Sequence, residues 1–229
     1  MNLHHPTLAT LSAIAALAAL ALNPGFAQTV RSDFNASAEG WTHTGAAAFQ
    51  QQAAGGNPGG FLYIDPAELD VTFIYAPAKF LGNLLAFNGG SVSFDGNMLG
   101  IGGSPYSAPG FDYGHLRLSS GIASATLDLL PSPGQPGQNQ WTTYSAPLTA
   151  GAWGKSEAEW LALLGNVTEV RLSVEAMFGA EVQGIDNFTV TAVPEPATYG
   201  MLALGLAVVG WARQRRAADK HCCTGRSAR

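Results

Sequence analysis

The chain has 229 residues, enough for one domain of ordinary size with further segments at its ends. Its net charge of -5 is unevenly distributed, because residues 28–193 contain five Lys and Arg against fourteen Asp and Glu. An acidic domain repels phosphate backbones, so we expect no nucleic acid partner. The two cysteines, Cys222 and Cys223, lie near the C-terminus, which excludes a disulfide framework in residues 28–193.

The N-terminal segment has the features of a cleaved export signal. An apolar stretch over residues 8–22 is followed by helix breakers and by small residues at Gly25 and Ala27. The stretch is as long as the apolar part of a signal peptide and too short to span a membrane comfortably. We therefore predict a secretory signal peptide over residues 1–27, which signal peptidase removes after Ala27; a buried helix is the alternative.

Residues 28–192 show short runs of alternating apolar and polar residues, separated by Gly, Pro, Asn and Ser. The apolar positions of these runs include Val92, Phe94, Leu116, Leu118, Val170, Leu172, Val174, Ala176, Phe188, Val190 and Ala192. In one run the residues expected to face water are Glu169, Arg171, Ser173 and Glu175. One solvent-exposed face on each strand predicts antiparallel sheets that pack as a β-sandwich, which is an all-β fold.

Two Gly- and Pro-rich stretches are predicted loops. LPSPGQPGQNQ, residues 130–140, has strand-like flanks and is expected to be a long hairpin loop. SPYSAPGFDYG, residues 104–114, offers aromatic faces for stacking on sugar rings and a carboxylate for hydroxyl groups. Its candidate glycan-binding residues are Tyr106, Phe111, Asp112 and Tyr113, and ordinary packing of the loop onto the sandwich is the alternative.

One short helix is expected after residue 155. Ser156 and Glu159 have the spacing of a capping box, an apolar face follows, and Gly165 stands where a helix ends. Four tryptophans are predicted to lie in the core, namely Trp41, Trp141, Trp153 and Trp160.

Catalytic motifs are lacking in the exported segment. It contains two histidines, His43 and His115, and neither a G-x-S-x-G nor an H-E-x-x-H motif. We therefore expect a protein that is not an enzyme. Paired carboxylates could still come together from distant strands, so a polysaccharide-modifying enzyme is the alternative.

The order of several phrases resembles a known family. GNPGGFLYIDP, YAPAKFLGN, GGSVSFDG, QWTTYSAPLT, SEAEWLALLGNVTEVRLSVE and GIDNF are similar to the laminin IV type A (laminin B) domain. The resemblance covers about residues 33–190. It implies a jelly-roll β-sandwich related to galactose-binding and carbohydrate-binding modules, of the kind present in extracellular matrix and bacterial surface proteins, without catalytic activity.

The same resemblance implies one structural calcium ion, because related modules carry such an ion where the first and last strands meet. Calcium prefers hard oxygen ligands, carboxylates among them. The candidate ligands are Asp33, Glu39 and Asp186. The alternative is that Asp186 caps a turn and that the other two are solvated surface charges.

The C-terminal region resembles the PEP-CTERM sorting signal of exopolysaccharide-producing bacteria. The triplet Pro194-Glu195-Pro196 precedes an apolar segment over residues 197–212 and a basic cluster of Arg213, Arg215 and Arg216. Sixteen residues of helix extend about 24 Å, marginal for a hydrocarbon core of about 30 Å. The basic cluster predicts that the tail, residues 217–229, is cytoplasmic and that the domain lies outside. The resemblance implies processing by an exosortase; a plain single-span anchor is the alternative.

These features predict a protein that is anchored transiently in the inner membrane and then reaches the cell surface or extracellular matrix. Its expected role is adhesion or organisation of an exopolysaccharide or biofilm matrix, through weak binding of glycans or of other surface proteins. A ligand-free structural spacer is a further alternative.

Overall fold

The computed structural model describes residues 27–66, 71–101, 104–105, 112–130, 135–193 and 205–209. Residues Ala27–Val193 form one compact unit, and the segments that flank them are grouped separately. The predicted signal peptide lies outside the described residues except for Ala27. Of the predicted membrane segment only residues 205–209 are described, and they are helical. Within the described ranges, no helix is both long and apolar enough to cross a membrane.

Within Ala27–Val193, the described residues form thirteen strands and one α-helix. The strands are β1 (Thr29–Ser32), β2 (Thr42–Thr44), β3 (Ala46–Gly56), β4 (Gly59–Pro66), β5 (Phe73–Tyr75), β6 (Ser91–Ile101), β7 (Ser104–Pro105), β8 (His115–Ser119), β9 (Ser124–Asp128), β10 (Thr142–Pro147), β11 (Glu169–Ser173), β12 (Met177–Phe178) and β13 (Glu181–Thr191). The helix is α1 (Glu157–Leu164), and 3-10 turns cover Ala78–Phe80 and Leu85–Phe87.

The strands form two main antiparallel sheets. Sheet A has the order β10-β6-β13-β4-β3, and β1 pairs with the C-terminal part of β13. Sheet B has the order β2-β5-β11-β8-β9, and β7 pairs with β12 in a small separate sheet. The predicted fold class, a jelly-roll β-sandwich with one short helix, is confirmed.

The core lies between the inward faces of sheets A and B. Alternation along the strands places Leu62 and Ile64 of β4, and Leu116 and Leu118 of β8, inside the sandwich. At one end the rings of Trp41, Phe34, Phe80 and Phe188 pack together, with ring centroids 4.9 to 6.0 Å apart. Aromatic burial of this extent stabilises a domain without disulfides.

Helix α1 begins at the predicted capping box. The Ser156 hydroxyl accepts a hydrogen bond from the Glu159 backbone N–H, and the Glu159 carboxylate accepts one from the Ser156 backbone N–H. The helix ends at Gly165, as predicted. Trp160 is fully buried against Trp153, and its indole N–H donates to the Asn88 side chain at 2.9 Å. The expectation that Trp153 and Trp160 lie in the core is therefore confirmed.

Two local predictions are wrong. The stretch over residues 130–140 does not close a hairpin, because β9 belongs to sheet B and β10 to sheet A, so the stretch crosses between the sheets. Ser173 and Glu175 do not face water, because both are buried, whereas Glu169 and Arg171 of the same run are partly exposed.

Glu175 forms a buried carboxyl pair with Glu181. The two side chains hydrogen-bond to each other, the Thr72 backbone N–H donates to Glu175, and the Gln183 amide donates to Glu181 at 2.8 Å. Burial, together with the charge of Glu181, raises the pKa of Glu175 to about 8, and burial also raises the pKa of Glu181. The pair therefore retains a proton at neutral pH.

This pair predicts that stability falls as pH rises. The ordinary pKa of the Glu175 carboxyl is 4.5, so between about pH 4.5 and 8 the folded protein retains a proton that the unfolded chain releases. The free energy of unfolding should decrease through this window, and Glu175→Gln should make the decrease smaller. Urea denaturation of both proteins at pH 5, 6.5 and 8 measures this, and an equally steep decrease in the variant would contradict the assignment.

Candidate ligand-binding face

Two of the predicted glycan-binding residues lie in the core. Asp112 and Tyr113 have no exposed surface, and the Tyr113 ring packs against Phe94 and Tyr144. The Asp112 carboxylate lies 2.5 Å from the His115 ring nitrogen. A buried ring cannot stack on a sugar, and a buried carboxylate cannot accept its hydroxyl groups, so the prediction is wrong for these two residues. Tyr106 and Phe111 lie outside the described residues.

The predicted calcium ligands do not share one site. The Glu39 carboxylate accepts the backbone N–H groups of Asp33 and Phe34 and forms an ion pair with Lys79, whose ammonium also donates to a backbone carbonyl. Asp33 accepts the N–H of Asn35 in its own turn. No group of three or more His, Cys, Asp or Glu in the described part of the chain is arranged to hold a metal. Binding of calcium through other oxygen atoms stays a prediction.

The third candidate, Asp186, lies on the outer side of sheet A under the tip of the β3–β4 hairpin. Its carboxylate accepts the backbone N–H groups of Asn57 at 2.6 Å and of Asn187 at 2.7 Å. Burial, aided by the nearby charge of Asp95, raises the pKa of Asp186 to about 6 in spite of these hydrogen bonds. Asp186 thus joins the hairpin tip to β13.

Next to Asp186, the outer side of sheet A carries three aromatic rings around a glycine. In the strand register, Gly184 of β13 lies between Tyr63 of β4 and Asn97 of β6. A Cβ atom at Gly184 would lie 2.8 Å from Trp141 and 3.3 Å from Phe61, so the glycine leaves the room that these rings occupy. Phe61, Tyr63 and Trp141 form what we call the aromatic platform.

Trp141 is the central ring of this platform, and the prediction that it lies in the core is wrong. Its side chain is partly exposed, its indole N–H donates to the Gly55 carbonyl at 2.9 Å, and its ring meets Phe61 edge to face at 5.5 Å. These two contacts come from different strands, and they fix the ring against the sheet. Trp41, which was also predicted to lie in the core, is buried as expected.

Polar groups border the aromatic platform. Asn97 is buried, and its side-chain oxygen has no hydrogen-bond partner in the described structure. Gln50 and Gln52 of β3 lie opposite Tyr63 and Phe61 in the register and are at least partly exposed. A buried acceptor without a donor costs free energy unless a ligand or water supplies one. The Asn97 oxygen and the Phe61 ring are enclosed, so the accessible part of this face consists of the Tyr63 and Trp141 rings and the Gln50 and Gln52 amides.

Asp95 supports this face from β6. Its carboxylate accepts hydrogen bonds from the Thr143 hydroxyl at 2.5 Å, from the Asn57 amide at 3.0 Å and from the Asn187 amide at 2.6 Å. It is only 5% exposed. Since its oxygens already accept three donors, Asp95 serves to fix the surrounding side chains.

The sequence contains a signal that would have found Trp141. In QWTTYSAPL, Tyr144, Ala146 and Leu148 face the core, so Trp141, Thr143 and Ser145 must share the opposite face. The aromatic residue and the two hydroxyl residues therefore lie on the same side of the strand. This alternation predicts that Trp141 points away from the core.

Residues 192–216 match the PEP-CTERM protein-sorting motif, which confirms the predicted sorting signal. The motif marks an exported protein that an exosortase processes. Among curated proteins, none matches this chain.

Several solved structures have a similar arrangement of strands. The L4b domain of human laminin alpha-2 is 11% identical, over 57% of this chain and 80% of that chain, with a TM-score of 0.46. A xylan-binding domain of carbohydrate-binding module family 22 is 14% identical, over 75% and 97%, with a TM-score of 0.46. A family 11 carbohydrate-binding module from Clostridium thermocellum is 11% identical, over 73% and 88%, with a TM-score of 0.37. These likenesses concern the fold alone.

The Lys79–Glu39 ion pair leads to a prediction. Lys79→Met should lower the free energy of unfolding by up to about 1 kcal/mol, because a carboxylate and a carbonyl lose their cation. The decrease should be the same with added calcium and with a chelator, because the cation that pairs with Glu39 is the Lys79 ammonium and not a metal ion. Thermal melts of both proteins measure this. A wild-type melting temperature that falls in chelator would instead support a bound calcium ion.

Proposed function

We propose that this protein is an exported, non-enzymatic surface or matrix protein that binds glycan chains through the aromatic platform on sheet A. The observation that carries the proposal is the fixed, partly exposed Trp141 ring over Gly184, on the same outer face of sheet A as the exposed Gln50 amide. The ring offers a flat apolar surface, and the amide can exchange hydrogen bonds with hydroxyl groups. Sugars present both features on one ring.

The environments of the described carboxylates favour binding over hydrolysis. Glycosidases place two carboxylates on either side of an accessible bond. Asp95 and Asp186 lie near the platform, but their oxygens accept backbone and side-chain donors. Glu175 and Glu181 hydrogen-bond to each other and are buried. None of these four offers a free acid next to an exposed ring.

Export and processing deliver the domain to its place of action. The sorting motif directly follows β13, so cleavage near Pro194–Pro196 would release the sandwich without cutting a strand. The proposed destination is the cell surface or the extracellular matrix. There, binding of exopolysaccharide would serve adhesion or organisation of the matrix.

The platform predicts how one substitution affects glycan binding. Trp141→Ala should weaken binding of the producing organism's purified exopolysaccharide by about tenfold or more, because an anchoring ring is removed. Isothermal titration calorimetry of the wild type and the variant measures this. Phe178→Ala is the matched control, since Phe178 is 59% exposed and lies outside sheet A.

Three results would contradict the proposed function. Equal affinities of the wild type and Trp141→Ala would exclude the platform as the binding site. Shortening of the polysaccharide after incubation with the wild type would favour the enzyme alternative. Absence of any saturable heat of binding would favour the alternative that the protein is a ligand-free structural spacer.

The sorting motif leads to a prediction about release. Replacing Pro194, Glu195 and Pro196 together with Ala should keep the protein in the membrane fraction, because the triplet of the sorting motif is lost. Immunoblots of membrane and extracellular fractions measure this. The same amount of extracellular protein from both strains would show that release does not depend on the triplet.

A further inference from the structure

The outer side of sheet B carries two arginines that face each other on neighbouring strands. Arg171 of β11 and Arg117 of β8 are direct partners in the register. The same cross-strand row continues to Tyr75 and Thr42 on one side and to Thr126 on the other. We call these five residues the arginine row.

The arginine row departs from the usual rule for sheets. Like charges directly opposite one another destabilise a strand pair. Only five Lys and Arg occur in residues 28–193, and two of them meet here. In the described part of the chain, neither Arg117 nor Arg171 forms an ion pair; the ion pairs there are Lys79–Glu39 and those of His115.

Neither guanidinium group is neutralised within the described part of the chain. Arg171 stacks on the Phe73 ring, with its central carbon 4.1 Å from the ring centroid. The Nε of Arg117 is buried and has no hydrogen-bond partner. Glu169 shares this face but makes no ion pair with either arginine. Two partly exposed arginines that meet on one face without an anionic partner in the described structure indicate a ligand with acceptor atoms.

We propose that the arginine row binds a carboxylate-bearing polysaccharide, such as a polyuronate. A carboxylate is planar and matches the two parallel N–H groups of a guanidinium. Thr42 and Thr126 are exposed and Tyr75 is partly exposed, which provides hydroxyl groups and a ring next to the charges. Five strands span about 19 Å, a length suited to a polymer and not to a single ion.

This site is separate from the aromatic platform, which lies on the other sheet. The proposal does not depend on the proposed function, since its ligand is recognised by charge and its residues differ. Surplus acidic charge on the rest of the domain would repel an anionic polymer elsewhere, so the polymer should be confined to the arginine row.

The experiment measures binding of polygalacturonate by the full-length chain in mild detergent and, separately, by Ala27–Val193. Methyl-esterified polygalacturonate, which has the same rings without the charge, is the neutral control ligand. Arg117→Gln should weaken binding of the charged polymer by about tenfold, and Lys155→Gln, which removes one charge elsewhere, should leave it unchanged. Trp141→Ala should also leave it unchanged, which separates this proposal from the proposed function.

Stability provides a second measurement that distinguishes binding from a structural role. Because removal of one of two opposed charges relieves repulsion, Arg117→Gln should melt at the same or a higher temperature than the wild type. A lower melting temperature, or unchanged binding of polygalacturonate, would overturn the proposal. Tighter binding of dextran sulfate or of polyglutamate than of polygalacturonate would overturn the assignment of the ligand.

Discussion

Strand β13 holds the sandwich together through hydrogen bonds on both of its sides. It pairs with β6 on one side, and with β4 and β1 on the other, so the last strand of the domain joins the first strand to strands from its middle. Sheet A can form only when these distant segments meet, because no local hairpin contains β13. Its inward residues Ile185 and Phe188 fill the core, and its outward residues Gly184 and Asp186 shape the candidate site. One strand thus determines both the stability of the fold and the geometry of the platform.

Alternation in the sequence predicted strands β6, β8, β11 and β13 and the side of each that faces the core. It was wrong for Trp141, because an apolar ring was assigned to the core without following the phase set by Tyr144. It was also wrong for Glu175, since alternation shows which side a residue occupies and not what covers that side. The candidate site was not predicted because its residues come from β3, β4, β6, β13 and the residue before β10, and only the pairing of these strands brings them together.

The few cations of this acidic domain occupy two kinds of environment. Lys79 neutralises Glu39 and ties the segment after β1 to a 3-10 turn, as a metal ion would. Arg31 donates to the Asn187 side chain and so joins β1 to β13. Arg117 and Arg171 have no such internal role in the described structure, although they lie in the middle of a sheet. Two like charges opposed on neighbouring strands break a local rule of sheet structure, and such departures are expected at functional sites.

The outer faces of sheets A and B differ in their chemistry. The platform on sheet A suits the apolar face of a neutral sugar, whereas the arginine row on sheet B suits an anionic chain. Packed sheets are about 10 Å apart, and their outer faces point away from each other, so one short chain segment cannot occupy both. Occupation of both faces would therefore join two separate polymer chains through one rigid domain. Cross-linking of this kind requires neither high affinity nor catalysis, because many weak contacts along a polymer act together.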